Sequence, residues 1–463
     1  MTLPKDFELY TRNLMGDNLY SRLEQGLSQS PETSIRLNPL KWQSREWKVA
    51  DEDGLVPWCG EGTYLRRRPA FTSDPLMHAG LYYVQEASSM FVGHVLQQEI
   101  KQPATMLDLC AAPGGKTIAA RAALPEGSLL ISNEPIRLRA QILSENVQKL
   151  GHPDVIVTNN YAPDFKKAGI MFDIVLADVP CSGEGMFRKD EGAISEWSAA
   201  NVDKCSKLQR QILSDIWPML KPGGLLVYST CTFNAKEDEE NAEWIASELG
   251  ADFVQVPTRP EWNIMGALSG SVPVCRFIPG VSRGEGLFMA ALRKHGETNN
   301  AKKENKKRNA KNQRSGKTEL PLKKPESYET RTKGDSLIAI KKQWAEIYDR
   351  ASRSLNILSA GIEIGTQKGR DLVPSQSLAL SAELQPGSFA ACDLEYSQAI
   401  AYLRKEAITL PGDAPKGFVL VEYKGLPIGF VKNLGNRSNN LYPQEWRIKS
   451  QHLQPEENII TTK

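Results

Sequence analysis

The sequence predicts an α/β protein centred on an open, mostly parallel sheet with helices on both faces, with a small mixed domain before it and a strand-rich region after it. Aliphatic runs at "TMLDLC", "SLLISN", "DVIVT", "FDIVLAD" and "GGLLVYST" alternate with helical stretches such as "PIRLRAQILSENVQKLG" and "DKCSKLQRQILSDIWPMLKPGG". Nearly continuous aliphatic strands separated by helices are the pattern of a parallel sheet covered on both sides. A glycine-rich turn, "LDLCAAPGGKT", follows the first run, and such sheets gather ligands at the carboxyl ends of their strands.

From Met1 to about Ala70, short amphipathic segments and "SIRLNPLK" suggest a small separate mixed domain, bounded here as 1–75. "LYYVQEASSMFVGHVLQQ", Leu81 to Gln98, has apolar residues at three- and four-residue intervals and predicts a helix. The alternating core completes the span 76–295, its last long helix stopping at Lys-Pro-Gly-Gly. Between Ala301 and Leu320, eight Lys or Arg against two Glu give a net charge of +6. That run reads as a flexible linker, 296–333, with a second reading in which it also touches RNA phosphates. The span 334–463 closes with "GFVLVEYKGLPIGFVKNLGNRSNNLYPQEWRI", whose first half reads as two strands around a glycine-containing turn in a compact binding module.

Composition narrows the class. The 463 residues exceed what one hydrophobic core organises, and 57 basic against 55 acidic residues leave the chain near neutral. No apolar run reaches the roughly 18 residues of a membrane span, and "MTLPKDFELYTRNLMGD" has no secretory pattern. Seven scattered cysteines without a close pair argue against a disulfide framework and a structural zinc site, and fit a reduced, cytoplasmic enzyme with no metal.

The glycine turn lacks both GxGxxG and the spacing of a phosphate-binding loop, so nucleoside triphosphate binding is not expected. Gly114 and Gly115 allow close approach to the backbone, and the helix start favours polar ligand groups. Glu134, 26 residues beyond Asp108, stands where an acid accepts ribose hydroxyls, although strand ends also carry acids for solubility. Together the two features point to a nucleoside-containing cofactor. Asp108 and Lys116 read as groups that hold the loop. In "VTNNYAPD", Asn159, Asn160 and Asp164 can reach an adenine amino group or simply satisfy the loop backbone.

Two cysteines follow strands: Cys181 in "DVPCSGEG" and Cys231 in "STCTF". Neighbouring strands can bring them to one pocket, and neither has a histidine at protease spacing. A thiolate, an acid and a nucleoside cofactor suit methylation of pyrimidine carbon 5. The thiolate adds to carbon 6, the ring attacks the methyl of S-adenosylmethionine, and Asp178 stabilises charge at cytosine N3. That scheme leaves one cysteine unexplained.

"DLCAAPGGKT", "DVPCSGEG", "STCTF" and "RGEG" together resemble the RNA cytosine carbon-5 methyltransferases of the Fmu/Sun type, and in particular the bacterial RsmF-like (YebU-like) subgroup. The resemblance covers most of the chain. It implies a Rossmann-like methyltransferase core, an RNA-associated N-terminal domain, a PUA-like C-terminal RNA-binding module, and small-subunit rRNA as substrate within the small ribosomal subunit. A monomer is expected. It also implies cofactor contacts from Cys110, Ala111, Ala112, Pro113, Gly114, Gly115, Lys116, Glu134, Asn160 and Asp178. Cys231 is then the nucleophile, and Cys181 assists release of the methylated product. Val179, Asn160 and Gly280 depart from the family's usual residues. Arg188 and Lys189 can meet phosphates or lie in a solvated loop, and Tyr442 and Trp446 can stack on bases or fill the module's core. A tRNA substrate, or a noncatalytic ribosome assembly factor, are the alternatives.

Overall fold

The computed structural model describes residues 2–42, 46–296, 319–450 and 454–462. The basic run read as a linker lies outside the described residues except for Glu319 and Leu320.

The central sheet has nine strands: β1 (Thr105–Asp108), β2 (Leu129–Asn133), β3 (Val155–Thr158), β4 (Phe172–Asp178), β5 (Leu220–Thr230), β6 (Ala251–Val254), β7 (Cys275–Phe277), β8 (Leu287–Lys294) and β9 (Ile357–Ala360). Their order is β6-β8-β5-β4-β1-β2-β3-β9, with β7 paired to β8. The run β3-β2-β1-β4-β5 is parallel, as the sequence predicts. Alternate residues feed two cores: Leu107, Ile131 and Val175 on one face, Met106, Leu130 and Ile174 on the other. The strand order reverses beside β1, and that opens a crevice at the ends of β1 and β4. Asp108 and Asp178 end those two strands.

Some boundaries differ from the sequence reading. Leu81 to Gln98 is not one helix: Tyr82–Val84 is a strand, and only Phe91–Glu99 is α-helical. Aromatic Tyr82 and Tyr83 suit a strand, and Tyr82–Val84 pairs with Thr33–Leu37. The N-terminal sheet therefore extends past residue 75. The helix Ala199–Ile216 ends before Pro218 rather than at Lys-Pro-Gly-Gly, because the Trp217–Met219 turn already leads into β5. The span expected to be linker contains the strand Tyr328–Lys333. β9, from the region after the linker, pairs antiparallel with β3 and completes the central sheet's edge.

Nor is the N-terminal domain separate. Trp47–Val49 pairs with Ile460–Thr462, and Ile35, Leu65 and Tyr82 share one core with Val421, Ile428 and Tyr442 from the terminal module. The hairpin Gly417–Tyr423 and Leu426–Asn433 forms as read, turning at Lys424 and Gly425. Tyr442 is buried in that core against Tyr402 and Trp446, so it fills the module rather than presenting a stacking face.

The N-terminal helix Lys5–Ser28 docks on the core through glycine. A Cβ on Gly26 would lie 2.3 Å from the Pro279 carbonyl carbon, and one on Gly280 (φ +80°) would lie 2.1 Å from the Arg22 oxygen. That contact gives the departure at Gly280 a physical reason. Gly16 (φ +74°) kinks that segment, and Phe7 and Leu23 on either side of the kink pack with Phe187 and Phe233, which flank the two cysteine loops.

Candidate active site

The loop after β1 turns through the Ala112-Pro113 bond to Gly114 (φ +117°), a conformation that favours glycine, and the helix Gly115–Ala123 begins there. Thr117 Oγ1 donates to Asp108 Oδ2 at 2.6 Å, tying the helix start to the strand end. Lys116 crosses the crevice to Asp178, with Nζ 2.9 Å from Oδ2, so it links two strand ends rather than capping its own loop. Ser229 Oγ donates to Asp178 Oδ1 at 3.0 Å. Burial opposes the Lys116 charge, but Asp178 outweighs it and the ammonium's pKa rises.

Cys181 and Cys231, fifty residues apart, meet with Sγ atoms 3.2 Å apart. The Cys231 amide donates to Cys181 Sγ at 3.4 Å. The side-chain hydrogen bond with Cys231, then burial, then the charge interaction with Cys231 and last the nearby Glu237 carboxylate push the Cys181 thiol well above its ordinary range. Lys116, by contrast, is coupled electrostatically to Cys231.

Two buried glutamates hold these loops, and sequence reasoning singled out neither. Glu184 accepts from Thr232 Oγ1 (2.6 Å), Phe233 N (2.6 Å), Asn234 N (3.0 Å), Trp197 Nε1 (2.9 Å) and Asn234 Nδ2 (3.0 Å). The Cys181 loop thereby grips the Cys231 loop. Glu237 accepts from Ser182 N (3.0 Å) and Gln209 Nε2 (2.7 Å). Beneath them, Arg276 pairs with Asp238 and Glu239 at 2.8 and 2.5 Å in full burial. Four consecutive acids, Glu237 to Glu240, after a cysteine turn were the available signal. From sequence alone they are indistinguishable from a solvated helix start.

Arg188 does not face phosphates. It is buried on Glu285 (2.6 and 2.9 Å), the Gly26 carbonyl (3.1 Å) and the Gly284 carbonyl (3.1 Å). Lys189 also reaches Glu285, at 3.2 Å.

A cleft of about 200 Å³ lies between the glycine loop and the segment 83–89, lined by Asp108, Cys110 to Pro113, Gly115, Lys116 and Asp178. Tyr83, Val84, Gln85, Glu86 and Ser89 form its opposite wall. Glu134 is 1% exposed, which excludes a solubility role. Its Oε1 accepts from Ile136 N at 3.0 Å, while Oε2 has no hydrogen-bond donor and lies 3.7 Å from Arg139 Nη1. Asp108 Oδ1 and Gln85 Oε1 are likewise buried acceptors without donors. A nucleoside amino acid rich in O–H and N–H groups fits this donor-poor site. Asn160 is more committed: its Oδ1 accepts from Asn356 N at 3.0 Å, and its side chain also bonds Asp164.

This strand order, glycine turn and acid-lined cleft define a Rossmann-like S-adenosylmethionine-dependent methyltransferase. The family model "16S rRNA methyltransferase RsmB/F" matches residues 95–293. Models for the N-terminal domain and the PUA domain of RsmF match 3–87 and 389–448. Relatives named "Ribosomal RNA small subunit methyltransferase F" include those of Aeromonas salmonicida, 29% identical with 89% of this chain and 87% of that one covered, and Photobacterium profundum, 29% identical with 96% and 97% covered. Among solved structures, a methyltransferase homologue from Pyrococcus horikoshii is 26% identical with TM-score 0.52, covering 63% of this chain and 95% of its own. NSun6 from the same organism, solved with SFG, has TM-score 0.53 at 21% identity over 64% of this chain and 99% of its own, a likeness in fold alone. The chain belongs to the RsmB/F family of 16S rRNA methyltransferases and carries the RsmF-type N-terminal and PUA domains.

Proposed function

We propose that the protein methylates carbon 5 of a cytosine in small-subunit rRNA through a covalent adduct on Cys231. The carrying observation is the 3.2 Å approach of two thiols that follow neighbouring strands, at the end of the sheet where Lys116 pairs with Asp178. Glu237 disfavours a thiolate at Cys181, which leaves Cys231 as the attacking sulfur. Cys231 Sγ adds to carbon 6 of the base, which makes carbon 5 nucleophilic. Asp178, braced by Lys116 and Ser229, shares a proton with N3 as charge develops there. Bound S-adenosylmethionine supplies the electrophilic methyl. Cys181, next to the new carbon–sulfur bond, assists loss of the carbon 5 proton and departure of Cys231. Cys110 to Lys116 cradle the cofactor, Glu134 takes its ribose hydroxyls, and Asn160 borders its adenine end with its amide held by Asn356 and Asp164.

The target base must leave its stack to reach this crevice, which favours a loop or distorted junction of folded RNA. The test is methyl transfer to purified small subunits, naked small-subunit rRNA and tRNA, followed by nucleoside analysis. Label in 5-methylcytosine from small-subunit rRNA supports the reading. Label in another nucleoside, or in tRNA alone, overturns it.

A further inference from the structure

Cys181 is held on both sides by two fully buried side chains, Gln209 and Glu237. Gln209, on the helix Ala199–Ile216, donates from Nε2 to the Pro180 carbonyl at 2.9 Å and to Glu237 Oε2 at 2.7 Å. Glu237 Oε2 also accepts from the Ser182 amide at 3.0 Å, so the residues before and after Cys181 are both gripped. The direction of this chain is fixed from outside. Arg210 Nε can only donate, and it meets Asn241 Oδ1 at 2.7 Å. Asn241 Nδ2 therefore faces Gln209 Oε1, also at 2.7 Å, and Gln209 must turn its NH2 to Glu237 and Pro180.

The sulfur at the end of this support is equally directional. Cys181 Sγ accepts the Cys231 amide at 3.4 Å and lies 3.2 Å from Cys231 Sγ, so its own S–H is free to point at that sulfur. We infer that Gln209 and Glu237 are positioning residues of the release step: they aim the Cys181 S–H at the Cys231 sulfur, which takes that proton as it leaves carbon 6. The hydrogen bond with Cys231, burial, the charge on Cys231 and the Glu237 carboxylate all oppose earlier loss of the Cys181 proton. In the release step the C5–H bond breaks, its electron pair forms the C5–C6 double bond, and its proton passes to water. The C6–S electron pair stays on Cys231, which gains the Cys181 proton, and Cys181 recovers a proton from solvent. The inference rests on Cys231 being the nucleophile.

Single-turnover methylation of small-subunit rRNA by the full chain, with the covalent protein–RNA adduct followed as it appears and decays, tests this. Gln209→Met removes both donors and is expected to leave the appearance of the adduct unchanged and to slow its decay by about 10- to 100-fold, the range of one hydrogen bond to a charged group. Unchanged decay, or appearance and decay slowed equally, overturns the inference, because a merely loosened fold slows both. If Gln209→Met no longer binds S-adenosylhomocysteine, Tyr228→Phe carries the test. It deletes only the hydroxyl that lies 3.1 Å from Gln209 Oε1 and donates to the Glu237 carbonyl at 2.5 Å, and the same patterns decide. An unaltered protein that forms no adduct on 5-fluorocytosine RNA sinks the Cys231 reading itself, a result distinct from normal decay in Gln209→Met.

Discussion

Substitution of Glu184 by Gln isolates the clamp between the two cysteine loops. The change preserves shape but turns one oxygen into an NH2. Oε1 accepts two N–H donors, from Trp197 and Asn234, and Oε2 accepts Thr232 Oγ1 and the amides of Phe233 and Asn234. Either orientation of the new amide therefore sets at least two donors against a donor. At about 1.5–3 kcal/mol for each hydrogen bond to a charged group, the clamp loses about 3–6 kcal/mol. Amide exchange at Phe233 and Asn234 reads this directly, because both amides are ligands of Glu184. An opening free energy lower by about 3 kcal/mol raises exchange by roughly 150-fold. Single-turnover adduct formation should slow with it, since Cys231 sits one residue before the released segment. A change of under about 1 kcal/mol in exchange, with unaltered adduct formation, would refute the clamp.

Three further outcomes follow. Ile460→Ala, at a fully buried position, should cost about 2–5 kcal/mol and raise exchange at Trp47–Val49 as well as in the terminal module, because the two ends share a core; exchange confined to the terminus would contradict that core. Gly280→His should destabilise by about 1–3 kcal/mol in urea unfolding and loosen the N-terminal helix, since its Cβ has no room against Arg22. Asp108 in the ligand-free fold holds its proton up to about pH 7, whereas the unfolded chain releases it near pH 4. Its contribution is therefore fully present below about pH 4 and lost as pH rises to about 7. The stability difference between the unaltered protein and Asp108→Asn should shift in that direction across this window, and a flat difference would count against the buried acid.

The alternating core was legible because its strands are aliphatic on both faces, a pattern that survives without tertiary information. The glycine turn, Glu134, Asp178 and both cysteines were legible as strand-end residues, and their meeting followed from strand order. Three features were not. "LYYVQEASS" mixes helical spacing with strand-forming aromatics, and pairing with Thr33–Leu37 decides the competition. Arg188 reads from the sequence as a phosphate contact or part of a solvated loop, and its burial is hidden because its partner, Glu285, lies 97 residues away. Glu184 and Arg276 act through contacts across the chain that no local spacing encodes. The union of the N- and C-terminal modules likewise depends on Trp47–Val49 meeting Ile460–Thr462, two short strands without a distinctive pattern.

The central claim is the division of labour between two thiols 3.2 Å apart, and adduct trapping on RNA containing 5-fluorocytosine tests it most directly. Cys231→Ala is predicted to form no covalent product. Cys181→Ala is predicted to form one, and to retain it on natural cytosine because release is impaired. A covalent product in Cys231→Ala and none in Cys181→Ala would contradict the assignment.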